Sequence, residues 1–288
     1  MTNFARGAVA LLVLTLSLVL GACQKVQISR DVVPDKIYAR VISLSPSTTE
    51  LLGLVDGEAY LIGRTSQCTV PSSVREAAIV ANPEPDWEAI ANLQPDLIVA
   101  DRAVFNPQWE AQAKKIGADV WVVDIHSLED WKRTVYQFGT FFLRQTVADK
   151  RVREVEGLEN GWRLDPLNPK PKALVVMGAQ QPWAAGLNTF QADVVRACGA
   201  EPVGPDADKF VQVSPEQILA WNPDIIVVAG DASEFVGSPW DATAAGKRNR
   251  IIGVDPDVLL RAGGRVNILL EALGAEFRRV MRGEGSGS

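Results

Sequence analysis

The 288-residue chain has one histidine, three cysteines and three methionines, one of them the initiator. A bare transition-metal ion needs several imidazole, thiolate or carboxylate donors converging on it, so a receptor for free zinc or manganese is disfavoured. Any metal is expected to arrive already chelated, and no cofactor of the protein's own is expected. The single histidine, His126, follows a strand-like WVVD segment, where a structural role is favoured over a ligand contact. Also missing are a G-x-S-x-G elbow, a G-x-G-x-x-G turn after a strand and a C-x-x-C pair, and Gly246-Lys247 lacks the glycine, five positions before Gly246, of a phosphate-binding loop. An enzyme reading has little to stand on. With 29 basic against 35 acidic residues, a net charge of −6, and no run of Lys or Arg, nucleic acid is not an expected partner.

The N-terminus is richer. Arg6 precedes an apolar stretch from Ala8 to Leu20, shorter than the roughly 20 residues a membrane-spanning helix needs. It has the plan of a secretory signal. Leu20-Gly21-Ala22-Cys23 looks like a bacterial lipobox, which would make lipidated Cys23 the mature N-terminus. Two acyl chains, at about 0.8 kcal/mol per buried CH₂, would hold a soluble body on a membrane face. The expected location is therefore extracytoplasmic, periplasmic or at the cell surface, with a lipid anchor. Cys68 and Cys198 would remain in a compartment that permits disulfides, but they lie in different halves of the chain. Two free thiols acting as small apolar side chains are expected.

One segment is stated twice. PDWEAIANLQPDLIVA (Pro85 to Ala100) and SPEQILAWNPDIIVVA (Ser214 to Ala229) match at Glu88 and Glu216, at Ile90 and Ile218, and at Pro95-Asp96 and Pro223-Asp224, always 128 residues apart. So long a period indicates two equivalent lobes, not a solenoid. Strand-like and helix-like segments alternate in both, which predicts an α/β fold of two Rossmann-like lobes with mainly parallel sheets. In lobe one, strands are expected at 40–44, 60–63, 96–100 and 120–123, with helices at 47–55 and 107–116. Between Leu128 and Trp162 there is no proline and the apolar residues keep helical spacing, predicting one long linking helix with a kink near Gly139. Lobe two repeats the plan, with strands at 173–177, 224–229 and 250–254 and helices at 191–198, 215–221 and 264–282. The expected layout is a leader over 1–23, a tether over 24–36, lobe one over 37–127, the linking helix over 128–163, lobe two over 172–282 and a disordered tail over 283–288.

Ser47-Thr-Thr-Glu50 and Ser214-Pro-Glu-Gln217 both fit the capping box, and Asp86 can cap the helix of the first repeat. Glu88 and Glu216 then share the second helical position, where a charge–dipole interaction contributes about 0.3–1 kcal/mol. That explains a glutamate at either site but does not require equivalent positions in both lobes. RVISLSPSTTELLGL, IGRTSQC, PDWEAIANLQPDLIVAD, VSPEQILAWNPDIIVV and DPDVLLRAGGRV, taken in order over residues 37–277, resemble the helical-backbone (class III) substrate-binding proteins of ABC importers for cobalamin, haem and ferric siderophores. The cobalamin branch is the most similar.

The resemblance implies a lobe–helix–lobe fold that acts as a monomer, a metal chelate held in a cleft between the lobes, and Glu88 and Glu216 docking on arginines of a permease dimer. Asp257 and Phe210 match a polar contact and an aromatic wall of the cobalamin binders, and Trp183 sits where an aromatic follows the first strand of lobe two. Gln67 and Asn82 stand where the best-known cobalamin binder has aromatics. Placement after strands adds Ser45, Ser47, Arg64, Arg102, Phe105, Phe235, Trp240 and Arg261 to the expected ligand contacts. Arg64, Arg102 and Arg261 would also suit an anionic siderophore or haem propionates. The cysteine that the resemblance would pair with Cys198 is absent near Gly274, so no disulfide is implied. A tetrapyrrole chelatase, which also uses paired α/β lobes, is the distant alternative, disfavoured by the export signal.

Overall fold

In the computed structural model, which describes residues 36–283, the repeated Pro-Asp performs one task twice. Asp96 accepts the backbone N–H groups of Ala39 and Arg40 at 2.8 and 3.0 Å, and its own N–H donates to Arg40 O at 2.9 Å. Asp224 accepts the Lys172 N–H at 3.1 Å, and its N–H donates to Lys172 O at 2.9 Å. Each aspartate clips the start of one strand to its neighbour. This fixes Val41 opposite Leu97 in lobe one and Ala173 opposite Ile225 in lobe two; a one-residue slip would carry every side chain to the other face.

Lobe one comprises β1 (Val41–Ser43), α1 (Pro46–Leu54), β2 (Leu61–Thr65), β3 (Ala78–Ala81), α2 (Trp87–Asn92), β4 (Leu97–Asp101), α3 (Gln108–Lys115) and β5 (Asp119–Val123). Its strands form a five-stranded sheet in the order β3-β2-β1-β4-β5, parallel throughout. A parallel sheet is covered on both faces, and the alternation along the strands serves two cores: Val41, Leu97 and Val99 enter one, Ile42, Ile98 and Ala100 the other.

The linking region departs from the single helix that the sequence predicts. It is a helical hairpin of α4 (Leu128–Phe141) and α5 (Gln145–Leu164). Lys132 meets Glu159 at 3.0 Å, and a Cβ on Gly139 would stand 2.6 Å from that of Ala148, so the two helices pack antiparallel. The break falls at Leu143, in left-handed backbone with φ +54°. Gly139 remains helical, and its missing side chain admits α5. α5 is 20 residues and about 30 Å long, and α4 also reaches lobe two, where the Leu128 N–H donates to Asp193 Oδ2 at 2.9 Å.

Lobe two comprises β6 (Lys172–Met177), β7 (Trp183–Ala185), α6 (Phe190–Ala197), β8 (Glu201–Pro202), β9 (Phe210–Gln212), α7 (Pro215–Trp221), β10 (Ile225–Ala229), β11 (Ile251–Val254), α8 (Pro256–Leu259) and α9 (Val266–Arg282). The sheet order is β11-β10-β6-β7-β9, with β8 beside the start of β6. β7 runs antiparallel to both β6 and β9, an excursion that three-residue strands do not announce in the sequence. One core cluster runs through both lobes and the helices between them, including Leu52, Trp131, Phe138, Val155, Val175 and Phe277.

Arg278, 5% exposed, fastens lobe two to the end of α5. It donates to Trp162 O and Gly274 O at 2.9 Å, to Cys198 O at 3.1 Å and to Asp165 Oδ2 at 2.8 Å, also reaches Asp165 O, and lies 4.3 Å from the centre of the Trp162 ring. Any side chain at Gly274 would run into that ring, which accounts for the missing cysteine. Cys68 and Cys198 are both free and buried, and burial pushes the Cys198 thiol up to about 12. The expected leader, the expected lipidation site at Cys23, most of the expected tether and residues 284–288 of the expected tail lie outside the described residues.

Candidate functional site

In open α/β sheets, ligands bind beyond the carboxyl ends of the strands, where the strand order reverses. In lobe one that point lies between β1 and β4. Ser45 Oγ accepts the Asp101 N–H at 3.0 Å, Ser47 Oγ donates to Asp101 Oδ2 at 2.9 Å, and Asp101 Oδ1 accepts the Ala103 N–H at 2.9 Å. Ser45 and Ser47 are 2% and 6% exposed. They form a floor that stitches the two strand ends together and offer no face to a ligand. The expected Ser47–Glu50 capping box does not form either. Pro46 occupies the first helical position and Ser45 becomes the N-cap, so Thr48 takes the third helical position and Glu50 lies two residues beyond it.

Three more expected ligand contacts are inside the protein. Arg64 is buried and donates to the carbonyls of Thr65, Cys68 and Arg75, each at 3.1 Å. It braces the loop after β2. Phe235 and Trp240 are each 2% exposed and pack edge to face, with centroids 5.0 Å apart, in the outer core of lobe two. Their neighbour Val236 is turned outward instead, 68% exposed.

The side chains presented at the carboxyl ends fall into two sets. Lobe one offers Gln67 and Asn82, both exposed, with Ser66 Oγ donating to Asn82 Oδ1 at 2.8 Å. The loop after β4 adds the exposed Val104, and Arg102 lying 5.6 Å from the centre of the Phe105 ring and 3.6 Å from Asp124. His126 is exposed and its Nε2 lies 2.8 Å from Asp124 Oδ1; it has no structural role in the core. Lobe two offers Trp183, 41% exposed, with Val236, and a half-exposed Asp257 that holds Arg261 at 2.6 Å. Phe210 is only partly buried, against the main core. The signals that could have found Val104, Val236 and Asp124 are position alone, since each follows the end of a strand.

The two sets of loops meet. Glu50, on the helix that follows β1, lies 2.7 Å from Arg265 and 3.6 Å from Arg261, both on the segment that follows β11. The hydrogen bonding that Arg265 donates to the Glu50 carboxylate raises its guanidinium above its ordinary pKa. Two shallow surface depressions of about 360 and 440 Å³ lie elsewhere, one beside Lys114 at the start of β5 and one along α5 at Asp149 and Arg153.

Glu88 and Glu216 are exposed and each occupies the second position of its helix. Asp86 Oδ1 accepts the N–H groups of Glu88 and Ala89 at 3.1 and 3.0 Å. Ser214 and Gln217 form the complete capping box. Hydrogen bonding to Ser214 and to its own backbone N–H holds the Glu216 carboxyl below the usual range. α2 follows β3, and α7 follows β9, which runs in the direction of β6, so both helices begin on the carboxyl-end side of their sheets.

A family model described as periplasmic binding protein matches residues 41–258. The chain is 27% identical over 252 residues to an uncharacterized ABC transporter substrate-binding lipoprotein, YvrC, of Bacillus subtilis, covering 83% of this chain and 79% of that one. It is 29% identical over 243 residues to a vitamin B12-binding protein of Photorhabdus laumondii, covering 81% and 86%. Among solved structures, the periplasmic vitamin B12 binding protein BtuF of Vibrio cholerae superimposes with a TM-score of 0.73 at 20% identity, over 84% of this chain and 98% of that one. The periplasmic heme-binding protein BhuT with two hemes gives the same TM-score, identity and coverage. Matched by the family model over most of its described length, this two-lobed α/β chain is a binding protein: it belongs to the periplasmic binding protein family.

Proposed function

We propose that the chain is the substrate-binding lipoprotein of an ABC importer, anchored outside the cytoplasm through Cys23, and that it captures a corrinoid of the cobalamin type as a monomer and hands it to a permease dimer. The observation that carries the importer reading is the pair Glu88 and Glu216. Both carboxylates are exposed, equivalent in sequence and in helix position, and set on the carboxyl-end side of their lobes. One in each lobe matches a partner that presents basic side chains in a two-fold arrangement.

The choice of a corrinoid rests on the chemistry of the exposed side chains. Gln67 and Asn82 offer amides that pair with a ligand rimmed by amides, and Trp183 offers an indole face. Phe105, Phe210 and Asp257 complete the proposed contacts, together with Arg102 and Arg261. Arg64 is spent on backbone carbonyls and the charge of Arg261 is balanced by Asp257 and Glu50, so the lobes present little net positive charge to a polyanion. Haem or a ferric siderophore is the second reading, favoured by the exposed Arg102.

Titration of residues 24–288 with cyanocobalamin, cobinamide, haemin and ferric siderophores, followed by tryptophan fluorescence, tests the ligand. Saturable quenching by the two corrinoids alone is expected. Binding of haemin alone would replace the corrinoid by the second reading, and binding of none would remove the capture role. The Glu88→Ala, Glu216→Ala double variant should bind ligand as the parent does and fail in transport.

A further inference from the structure

Released from the capping role that its spacing suggests, Glu50 takes all its side-chain partners from lobe two. The residue is 3% exposed. Oε1 accepts from Arg265 Nη2 at 2.7 Å; Oε2 accepts from Arg265 Nε at 3.1 Å and from the Gly264 N–H at 3.2 Å. Arg265 also donates to Asp257 O at 3.0 Å, and Arg261 bridges the carboxylates of Glu50 and Asp257. Two acids and two arginines thus form a closed, neutral quartet that joins the helix after β1 to the segment after β11.

The backbone is shaped for this contact. A Cβ on Gly263 would stand 2.6 Å from Glu50 Oε2, and one on Gly264 would stand 2.7 Å from Glu50 O. Trp131, on α4, donates its indole N–H to Gly263 O at 2.8 Å and holds the glycine segment from a third side. A buried ion pair is weak evidence of stability, because desolvation offsets most of the attraction; its better-attested use is to select one arrangement among several. Here the arrangement to be selected is that of the lobes. Both lobes rest on the α4–α5 hairpin; the Glu50 contact adds a direct tie from one lobe to the other, which opposes rocking about that hairpin.

We propose that Glu50 is a positioning residue for ligand capture. By holding Arg265 and Arg261 it fixes the separation of the lobes and aims the Arg261–Asp257 pair at the ligand, which it does not itself touch. The ligand part rests on the capture role proposed above; the separation of the lobes does not.

The test uses Lys114→Cys and Asp208→Cys, two exposed positions, one in each lobe, carrying spin labels, with Cys68 and Cys198 shielded by burial. The parent should give one narrow distance distribution. Glu50→Gln should broaden it and weaken cyanocobalamin binding about tenfold, through faster dissociation. Arg265→Gln breaks the same pair from the other lobe and should reproduce both effects, so that a folding defect in one variant leaves the other decisive. Unchanged distances in the folded variants would overturn the proposal, as would broadened distances with parental affinity. If the parent binds neither cyanocobalamin nor haemin, the capture role falls, while the distances still decide whether Glu50 sets the lobes.

Discussion

Replacing Arg278 by methionine tests how lobe two is fixed to the linking helix. Methionine preserves the stem that packs under Trp162 but removes every donor. Gly274 O keeps its place in α9, and Asp165 is 58% exposed and can turn to water. The carbonyls of Trp162 and Cys198, bonded at 2.9 and 3.1 Å, lose their partner, and Cys198 is 0% exposed. An unsatisfied buried acceptor costs about 1–3 kcal/mol, so two of them amount to about 2–6 kcal/mol. The lost cation–π contact adds about 0.5–2 kcal/mol. Urea denaturation followed by far-UV circular dichroism should show a loss of at least about 3 kcal/mol with an unchanged m-value. Arg278→Lys should recover less than half, since one ammonium cannot span acceptors that a guanidinium fork reaches from several sides. A loss below about 1 kcal/mol in Arg278→Met would refute the reasoning, because it would mean that these carbonyls find water without rearrangement.

Tyr38 donates to Asp119 at 2.9 Å, and burial, reinforced by that carboxylate, raises its hydroxyl from 10.0 to about 12. A group whose pKa is raised on folding contributes stability below its unfolded value and loses it as the pH climbs through the folded one; Tyr38→Phe should therefore flatten the fall in stability between pH 10 and about 12, measured as the difference from the parent. In residues 24–288, neither thiol should react with a thiol reagent at pH 8 in the native protein, and both should react in guanidinium chloride. A native disulfide would leave none to react. Asp96→Ala removes two backbone clips and Asp224→Ala one, so the first should destabilise by about 1–2 kcal/mol more in chemical denaturation.

Much of the fold is written in short-range chemistry. The aliphatic runs after Pro95-Asp96 and Pro223-Asp224 are the buried strands β4 and β10, and Ser214-Pro215 starts α7 at the expected residue. Where the reading fails, a local pattern was consistent with two outcomes. S-x-x-E at Ser47 and S-x-x-Q at Ser214 look alike. At Ser214 the proline follows the cap; at Ser47 it precedes, and Pro46, with its fixed φ, takes the first helical position, so the cap falls on Ser45, two residues earlier. Apolar periodicity runs unbroken through Leu143 because neither glycine nor proline marks the turn, and only the antiparallel packing of α5 on α4 reveals it. The candidate site is less legible for the same reason. Arg64, Phe235 and Trp240 follow strands as ligand contacts do, but loop residues carry no period that tells an inward side chain from an outward one. Glu50 could be recognised only from its partners, more than 200 residues away in sequence.

The core cluster that passes through both lobes bears on how this chain can be divided. Leu52 and Val99 of the first lobe, Val135 and Val155 of the hairpin, and Val175 and Phe277 of the second share one apolar interior. A fragment that stops after β5 would expose the side of its sheet that α4 covers, and a fragment beginning at β6 would lack the surface of α5 on which α9 rests. The repeated halves are therefore alike as architecture without being separable as material: neither should persist as a folded species after a cut between them, and the two should melt as one.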